Sequence, residues 1–595
     1  MGSPHQRVVL VQLPIPPAGS QPVRGNIPLA PACLKLLARR RGLESAWAIE
    51  LMPADVTNRA GDLGLVQAIL ACRPSLVGFT CTLWNVERTL WVARRVKDLD
   101  PEVQIVLGGP EITADNAAVL QHPAVDFAAI GEGEQTFAEL LAALADQQPV
   151  PPGVQPVPPG EFAIPGLWVR QSGVLPAPRA PLADLDEISS PYLEGILDAA
   201  DERTMFLETV RGCAFRCKFC YYPKGYEERH FVSPERIAAN LRHAVRRGAR
   251  DVVLLDPTLN HRGDFADLLR LLARGNPDRQ LAYFGELRAE RLDPEHARLL
   301  AEANFTEVEV GLQSLDPRVQ ELIGRRLDRE ALERGVQALL DVGIEVRLDL
   351  ILGLPGETVD SFRRTLDQVR GSSLRGCTVQ VFNLSILPGT ALRREAGSLG
   401  LSYQARPPYY VLGTPTLDGG QMLALMEEAE EAFGLEYDLF GPPALGPGVA
   451  GDSGDSGHSP IEIIELDLDR PPWSLPPAEK RALALTLRLR SDDFDARRHS
   501  AAKLVGRLLD DNPHTTLQVV LEPAGDPRHL TLRALQTLQA ACYRSASFLD
   551  LFYSLHPNRL LSAKRLLVLL AEEHRAGLGR PWVDAVGQYA GILWR

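Results

Sequence analysis

Cysteine is scarce in this chain, with 8 in 595 residues, too few for a disulfide scaffold. Long apolar runs are lacking too. None approaches the roughly 18 residues of a membrane-spanning helix, so no membrane partner is expected. Positive charge is in deficit: 63 Lys and Arg against 76 Asp and Glu leave a net charge of −13. That balance argues against nucleic acid or an anionic membrane surface as a partner. The opening stretch, MGSPHQRVVLVQLP, has no apolar h-region before its prolines, so no signal peptide is expected. Gln6 at the sixth position does not suit a myristoylation signal. A cytoplasmic location fits this cysteine usage. The hydrophobic content of 45% is ordinary for globular chains, and the length predicts about three or four domains.

Five of the cysteines, Cys33, Cys72, Cys81, Cys377 and Cys542, are scattered and read as small core residues. The other three, Cys213, Cys217 and Cys220, stand at CxxxCxxC spacing in RGCAFRCKFCYY, just after the apolar run Thr204–Val210. Thiolates suit iron–sulfur clusters or zinc. An iron–sulfur cluster usually takes four cysteines. With three, one iron stays open to a small-molecule ligand. A zinc site would need a fourth ligand from afar.

The N-terminal region alternates. Short apolar strands are predicted at Arg7–Leu13, Ser45–Leu51, Ser75–Thr82, Gln104–Leu107 and Asp126–Ile130, with helices at Pro28–Arg41, Gly64–Ala71 and Val86–Leu99. This order implies a parallel doubly wound sheet, whose ligands bind at the carboxyl ends of the strands. Three strand ends carry distinctive turns: Thr80-Cys81-Thr82, Gly108-Gly109-Pro110-Glu111 and Gly131-Glu132-Gly133-Glu134. Glycines there let a ligand approach the backbone.

From residue 147 to 181 prolines recur, as expected of an extended linker. Within it GLWVR is a candidate short strand. Strands are then predicted at Thr204–Val210, Asp251–Asp256, Leu281–Gly285, Thr306–Val310, Glu345–Leu352 and Cys377–Phe382. Six βα repeats with the cysteine motif after the first strand imply a partial parallel barrel, with its site at the carboxyl ends of the strands. The tract GDSGDSGHSP, residues 451–460, reads as a flexible linker. Beyond it, strands are predicted at Ile461–Leu468, Ala484–Leu489 and Thr515–Leu521, and helices at Leu530–Phe552 and Leu560–Ala576.

The cysteine motif, with Phe219 before its third cysteine, resembles the signature of the radical S-adenosylmethionine (SAM) enzymes. IPLAPACLKLLARRRG, GFTCTLWN, LGGPEIT and GEGEQTF together resemble the cobalamin-binding domain that precedes the SAM core in one large branch of that family. The resemblance implies a Rossmann-like cobalamin-binding domain at 1–146, the Pro-rich linker at 147–181 and a partial (β/α)6 radical SAM barrel at 182–396. A barrel extension at 397–450, the flexible linker at 451–460 and a small α+β or mostly helical domain at 461–595 would follow.

The resemblance further implies a 4Fe–4S cluster on Cys213, Cys217 and Cys220, and SAM contacts from Glu286, Gln313 and Arg325. Cobalamin contacts would come from Thr80, Thr82, Gly108, Gly109, Glu111, Gly131 and Gly133. No catalytic residue is assigned, and Tyr221 and Tyr222 either border the site or pack. Two departures stand out. Asp256 and Thr258 in LLDPTLN replace the usual glycine-rich turn near the methionine amine. LPIPPAG stands where many cobalamin domains carry DxHxxG, so cobalamin is expected without a histidine lower ligand.

The implied activity is reductive cleavage of SAM, with methylation of an unreactive carbon of a small molecule or peptide. An external one-electron donor such as flavodoxin or ferredoxin is expected. Ring contraction or cyclisation, a radical SAM reaction without cobalamin, and a non-catalytic iron–sulfur scaffold or sensor are the alternatives.

Overall fold

The structure, a computed structural model, describes residues 6–19, 23–146, 163–222, 228–438, 440–441, 443, 445, 461–544, 546–558 and 560–595. Residues 147–162 of the Pro-rich linker and all of the tract at 451–460 lie outside the described residues.

The N-terminal sheet has six strands: β1 (Gln6–Gln12), β2 (Trp47–Leu51), β3 (Leu76–Thr80), β4 (Gln104–Gly108), β5 (Phe127–Ala129) and β6 (Leu167–Val169). Their order is β2-β1-β3-β4-β5-β6. All pairs are parallel except β5–β6. The run VVLV in β1 is apolar throughout because both faces are covered. Val9 and Val11 pack with Val77, Phe79, Ile105 and Leu107 on one side. Val8 and Leu10 pack with Leu76, Val106 and Phe127 on the other. The GLWVR stretch adds β6 to the edge of this sheet, so the chain leaves the N-terminal region only after that strand.

Next come β7 (Thr204–Leu207), the two-residue ladder of β8 (Val210–Arg211) and β9 (His230–Phe231), then β10 (Asp251–Leu254), β11 (Ala282–Leu287), β12 (Phe305–Gln313), β13 (Glu345–Leu352) and β14 (Thr378–Asn383). A six-stranded sheet runs β14-β13-β12-β11-β10-β7, parallel throughout. This is the open barrel predicted from the six repeats. A small hairpin of β15 (Ser402–Tyr403) and β16 (Val411–Gly413), with the helix Gly419–Phe433, extends it.

The C-terminal region corrects the expectation of an α+β or mostly helical domain. Five strands, β17 (Glu462–Asp467), β18 (Ala484–Ser491), β19 (Thr516–Pro523), β20 (Lys564–Leu570) and β21 (Gly591–Trp594), form one sheet in sequential order. Every pairing is parallel and α-helices follow β18, β19 and β20, so the domain is α/β. The predicted helix Leu560–Ala576 is replaced by β20. All seven of its residues are buried, and the short apolar run LLVLL has no periodicity to separate strand from helix. Among the described residues no helix is long and apolar enough to cross a membrane.

The C-terminal domain docks on the N-terminal one through backbone and charge. Gly61 donates its N–H to Arg481 O at 2.8 Å, and Leu63 N–H reaches Asn512 Oδ1 at 3.1 Å. Asp62, 0% exposed, accepts from Arg88 Nε at 2.7 Å and from the backbone N–H of His514 at 2.8 Å. Burial works to raise the Asp62 pKa, but the charges of His514 and Arg88 and the His514 hydrogen bonds outweigh it and hold the carboxyl below its usual range.

The Asp62 contribution to stability is therefore present above the unfolded carboxyl value of about 3.9 and is lost as pH falls further. Asp62→Asn leaves Arg88 buried without its counter-charge, a loss of about 3–5 kcal/mol. Urea unfolding near neutral pH is expected to show that loss, and the gap between the two proteins is expected to narrow in acid.

Candidate functional site

The cysteine loop begins where β7 ends, and its root is fixed from the neighbouring strand. Asp256, just beyond β10, accepts from Thr209 N–H at 2.8 Å and Val210 N–H at 3.1 Å, and from the Thr209 hydroxyl. Gly212 then takes φ of 95°, which glycine adopts without strain. Farther along, Lys218 N–H donates to Ile323 O at 2.9 Å, and Leu392 N–H to Lys218 O at 2.9 Å. Asp256 thus anchors the loop, while its neighbours Pro257 and Thr258 in the same turn line the cavity that the loop borders.

Cys213, Cys217 and Cys220 line one cavity of about 160 Å3, together with Glu286, Gln313 and Arg325. The structure thus brings together all six residues expected to hold the cluster and SAM. Among the described residues, no group of three or more His, Cys, Asp or Glu side chains converges as a single metal ion would require. The three thiols share one cavity, and thiolates are the ligands an iron–sulfur cluster takes.

Arg325 places Nη1 3.8 Å from Cys217 Sγ and donates Nη2 to Gly311 O. A Cβ on Gly311 would meet Gln313 Nε2 at 2.3 Å and Arg325 Nη2 at 3.2 Å, so a larger residue there would push the ends of both side chains from their present places. The register of β12 shifts between Gly311 and Gln313, and Gln313 itself takes φ of 68°, an uncommon conformation outside glycine and often found at functional sites. Gln313 Oε1 and Arg325 Nε are buried without a hydrogen-bond partner.

Three charged cavity residues, Arg288, Glu309 and Asp349, carry no motif and were not predicted. Arg288 lies across the Phe215 ring at 3.8 Å and pairs with Glu290 at 3.1 Å. Asp349 is buried, with Oδ1 unpartnered. Glu286, Glu309 and Asp349 come from adjacent strands: Glu286 is in register with Glu309, and Asp349 with Gly311. Glu286 opens to the cavity but is walled by protein. Burial and the Glu309 charge push its carboxyl up to about 7, against the pull of Arg325. Burial, then the charge and hydrogen bond of Glu309, push Asp349 up to about 9. Two guanidiniums and three carboxyls around one cavity complement a ligand carrying both signs of charge. Of the two tyrosines, Tyr222 lines this cavity, while Tyr221 has the charges of Glu111 and Asp115 as neighbours.

A second cavity, of about 190 Å3, opens at the carboxyl ends of β3, β4 and β5 beside the helices Leu29–Arg40 and Gly133–Asp146. Thr80, Gly108, Gly109, Gly131 and Gly133 line it; Thr82 and Glu111 do not. A Cβ on Gly108 would meet nothing within 4 Å, so no neighbour in the protein demands glycine there and the cradle is left clear. Gly109 differs: its φ is 106° and a Cβ would strike Cys81 O at 2.5 Å, so packing explains that glycine. Glu111 is buried and accepts from Asn116 Nδ2 at 3.1 Å and the Tyr409 hydroxyl at 2.8 Å, a link to the barrel extension. The loop after β1 offers no histidine. His122 precedes β5, at the opposite end of the strands, and His5 lies outside the described residues.

Because Asp349 is held protonated, its burial penalty is absent below about pH 4, the unfolded carboxyl range, and grows as pH rises toward the folded value. Asp349→Asn keeps the shape and can still donate to Glu309. Its thermal stability relative to the parent is expected to rise between about pH 5 and about pH 8. A variant less stable than the parent at the higher pH would contradict this.

The family model for the Radical SAM superfamily matches residues 207–369, and that for the B12 binding domain matches residues 31–141. The chain is 29% identical over 342 residues to the cobalamin-dependent radical SAM methyltransferase TokK of Streptomyces tokunonensis, covering 54% of this chain and 48% of that protein. It is 28% identical over 394 residues to the 2-(S-pantetheinyl)-carbapenam-3-carboxylate methyltransferase of Streptantibioticus cattleyicolor, covering 62% and 56%. The chain thus spans about half the length of these curated relatives. In fold it is similar to the radical SAM methyltransferase TsrM from Kitasatospora setae, solved with cobalamin and a [4Fe-4S] cluster bound. The TM-score is 0.54 at 20% identity, over 73% of this chain and 86% of that one. The two family models thus assign this chain a B12 binding domain ahead of a Radical SAM superfamily domain, and the three cysteines stand in the second.

Proposed function

We propose that this chain cleaves SAM reductively at a 4Fe–4S cluster and, with cobalamin, methylates an unreactive carbon of a small molecule or peptide. The observation that carries this reading is the donor set of the barrel cavity, with three thiols, two guanidiniums and three carboxyls around one space. When bound, the cluster and SAM supply a radical able to take hydrogen from an unactivated carbon, and cobalamin supplies a methyl carrier. The protein's part is to hold, orient and exclude water. Cys213, Cys217 and Cys220 would hold three irons as thiolates. Arg325 and Arg288 suit the SAM carboxylate, since the guanidinium fork is bidentate. Glu286 would take the ribose hydroxyls. Glu309 would offset positive charge, and Asp349, which keeps its proton, would donate a hydrogen bond.

Cobalamin would sit at the strand ends of the N-terminal sheet, with part of it in the glycine-lined cavity. Its domain faces the barrel, because Glu111 meets Tyr409 and Asp115 accepts from Gly389 N–H at 2.7 Å. Methylation is favoured over ring closure by the two methyltransferase relatives. The electron would come from an external one-electron donor such as flavodoxin or ferredoxin.

The test is anaerobic reconstitution with iron, sulfide and hydroxocobalamin, followed by assay for 5′-deoxyadenosine and S-adenosylhomocysteine. Both products are expected under strong reductant with a substrate present. Cys217→Ala is expected to lower both by at least about 100-fold. 5′-deoxyadenosine without S-adenosylhomocysteine, on a substrate that is consumed, would contradict methyl transfer. Gly108→Ala puts a methyl group into the cradle, where a Cβ meets no protein atom within 4 Å. Corrin binding, followed by absorbance, is expected to weaken by at least about tenfold, with thermal unfolding within about two degrees of the parent.

A further inference from the structure

Arg211 stands two residues before Cys213, at the end of the β8 strand whose ladder with β9 closes the cysteine loop. Its guanidinium faces three carboxylates, one for each nitrogen. Nε is 3.0 Å from Glu208, Nη1 is 3.1 Å from Glu132 and Nη2 is 2.8 Å from Glu134. Glu132 and Glu134 belong to the GEGE turn after β5, in the other domain. Glu134 also lines the glycine cavity beside Gly131 and Gly133. The second oxygen of Glu132 accepts from Leu182 N–H at 2.7 Å, on the segment that leads into the barrel. One side chain therefore joins the root of the cysteine loop to the wall of the cobalamin cavity.

The arrangement is more than a surface ion pair. Side-chain exposure is 13% for Arg211, 10% for Glu132 and 11% for Glu134, so solvent screens these charges little. Three carboxylates gathered on one cation repel one another as soon as the cation is lost. The GEGE turn and Glu208 would then be driven apart, and the cavity wall would move with the turn. Lysine could not replace Arg211, since a single ammonium cannot present three diverging donors in a fixed plane.

We propose that Arg211 is a positioning residue that couples the two sites, so that filling the cysteine loop with its cluster preorganises the cobalamin cavity, and filling the cavity steadies the loop. The inference rests on the proposed function, which assigns those two cofactors. Coupling of this kind is reciprocal and is read as a ratio of affinities.

The experiment titrates hydroxocobalamin into anaerobic full-length protein by corrin absorbance, with and without prior reconstitution of the cluster. The parent is expected to bind corrin at least about fivefold tighter when the cluster is present. In Arg211→Met the ratio is expected to fall to within about twofold of unity, and in Arg211→Lys to lie between. Glu134→Gln keeps the side chain's shape but loses its charge; it is expected to lower the ratio and serves if the Arg211 variants fold poorly. A parent ratio of unity, or a parental ratio retained in Arg211→Met or Glu134→Gln, overturns the coupling while leaving the proposed function standing. A parent that binds no corrin in either state overturns both.

Discussion

Asp256 is 1% exposed at the end of β10, where its carboxylate gathers the hydrogen bonds of Thr209 and Val210. A buried carboxylate is tolerated only when its oxygens are satisfied, and here the satisfaction comes from the first residues of the cysteine loop. The loop thus starts from a fixed point, tied across strands rather than along the chain. Everything the barrel cavity offers depends on that anchor. The thiols face Arg325, Gln313 and Glu286 because the loop leaves β7 at one angle, and Gly311 keeps the opposite wall low enough for two long side chains to cross it.

Charge follows the same logic in the cavity. Glu286, Glu309 and Asp349 come from three neighbouring strands pointing the same way, and they cannot all ionise in a shielded space. One proton stays with them, and the arginines stand opposite. Such an arrangement costs stability when empty and is relieved by a ligand with a cation at one end and an anion at the other. SAM is a ligand of that kind.

Much of this was legible in the sequence, for reasons that differ by residue. The three cysteines declare themselves by spacing, and the six barrel strands by apolar runs alternating with helices. Arg288 and Asp349 are invisible there, because nothing in the linear order of LRAE or RLDL separates a cavity charge from a solvated one; only strand register brings them to the thiols. Gly109 and Glu111 belong to a turn whose glycine and carboxylate resemble ligand contacts. In the fold Gly109 lines the cavity and also lies close against Cys81, while Glu111 is bonded to Tyr409. β20 failed as a prediction because burial on both faces erases the periodicity that distinguishes a strand.

At the centre of the account is a cluster held by three thiolates, with one iron left for SAM. Electron paramagnetic resonance of the anaerobically reconstituted, reduced protein, recorded before and after adding SAM, addresses it directly. The account predicts a 4Fe–4S signal that changes on addition of SAM and is absent from a variant lacking Cys213, Cys217 and Cys220. A signal indifferent to SAM, or zinc bound by those thiols in place of iron, would contradict it.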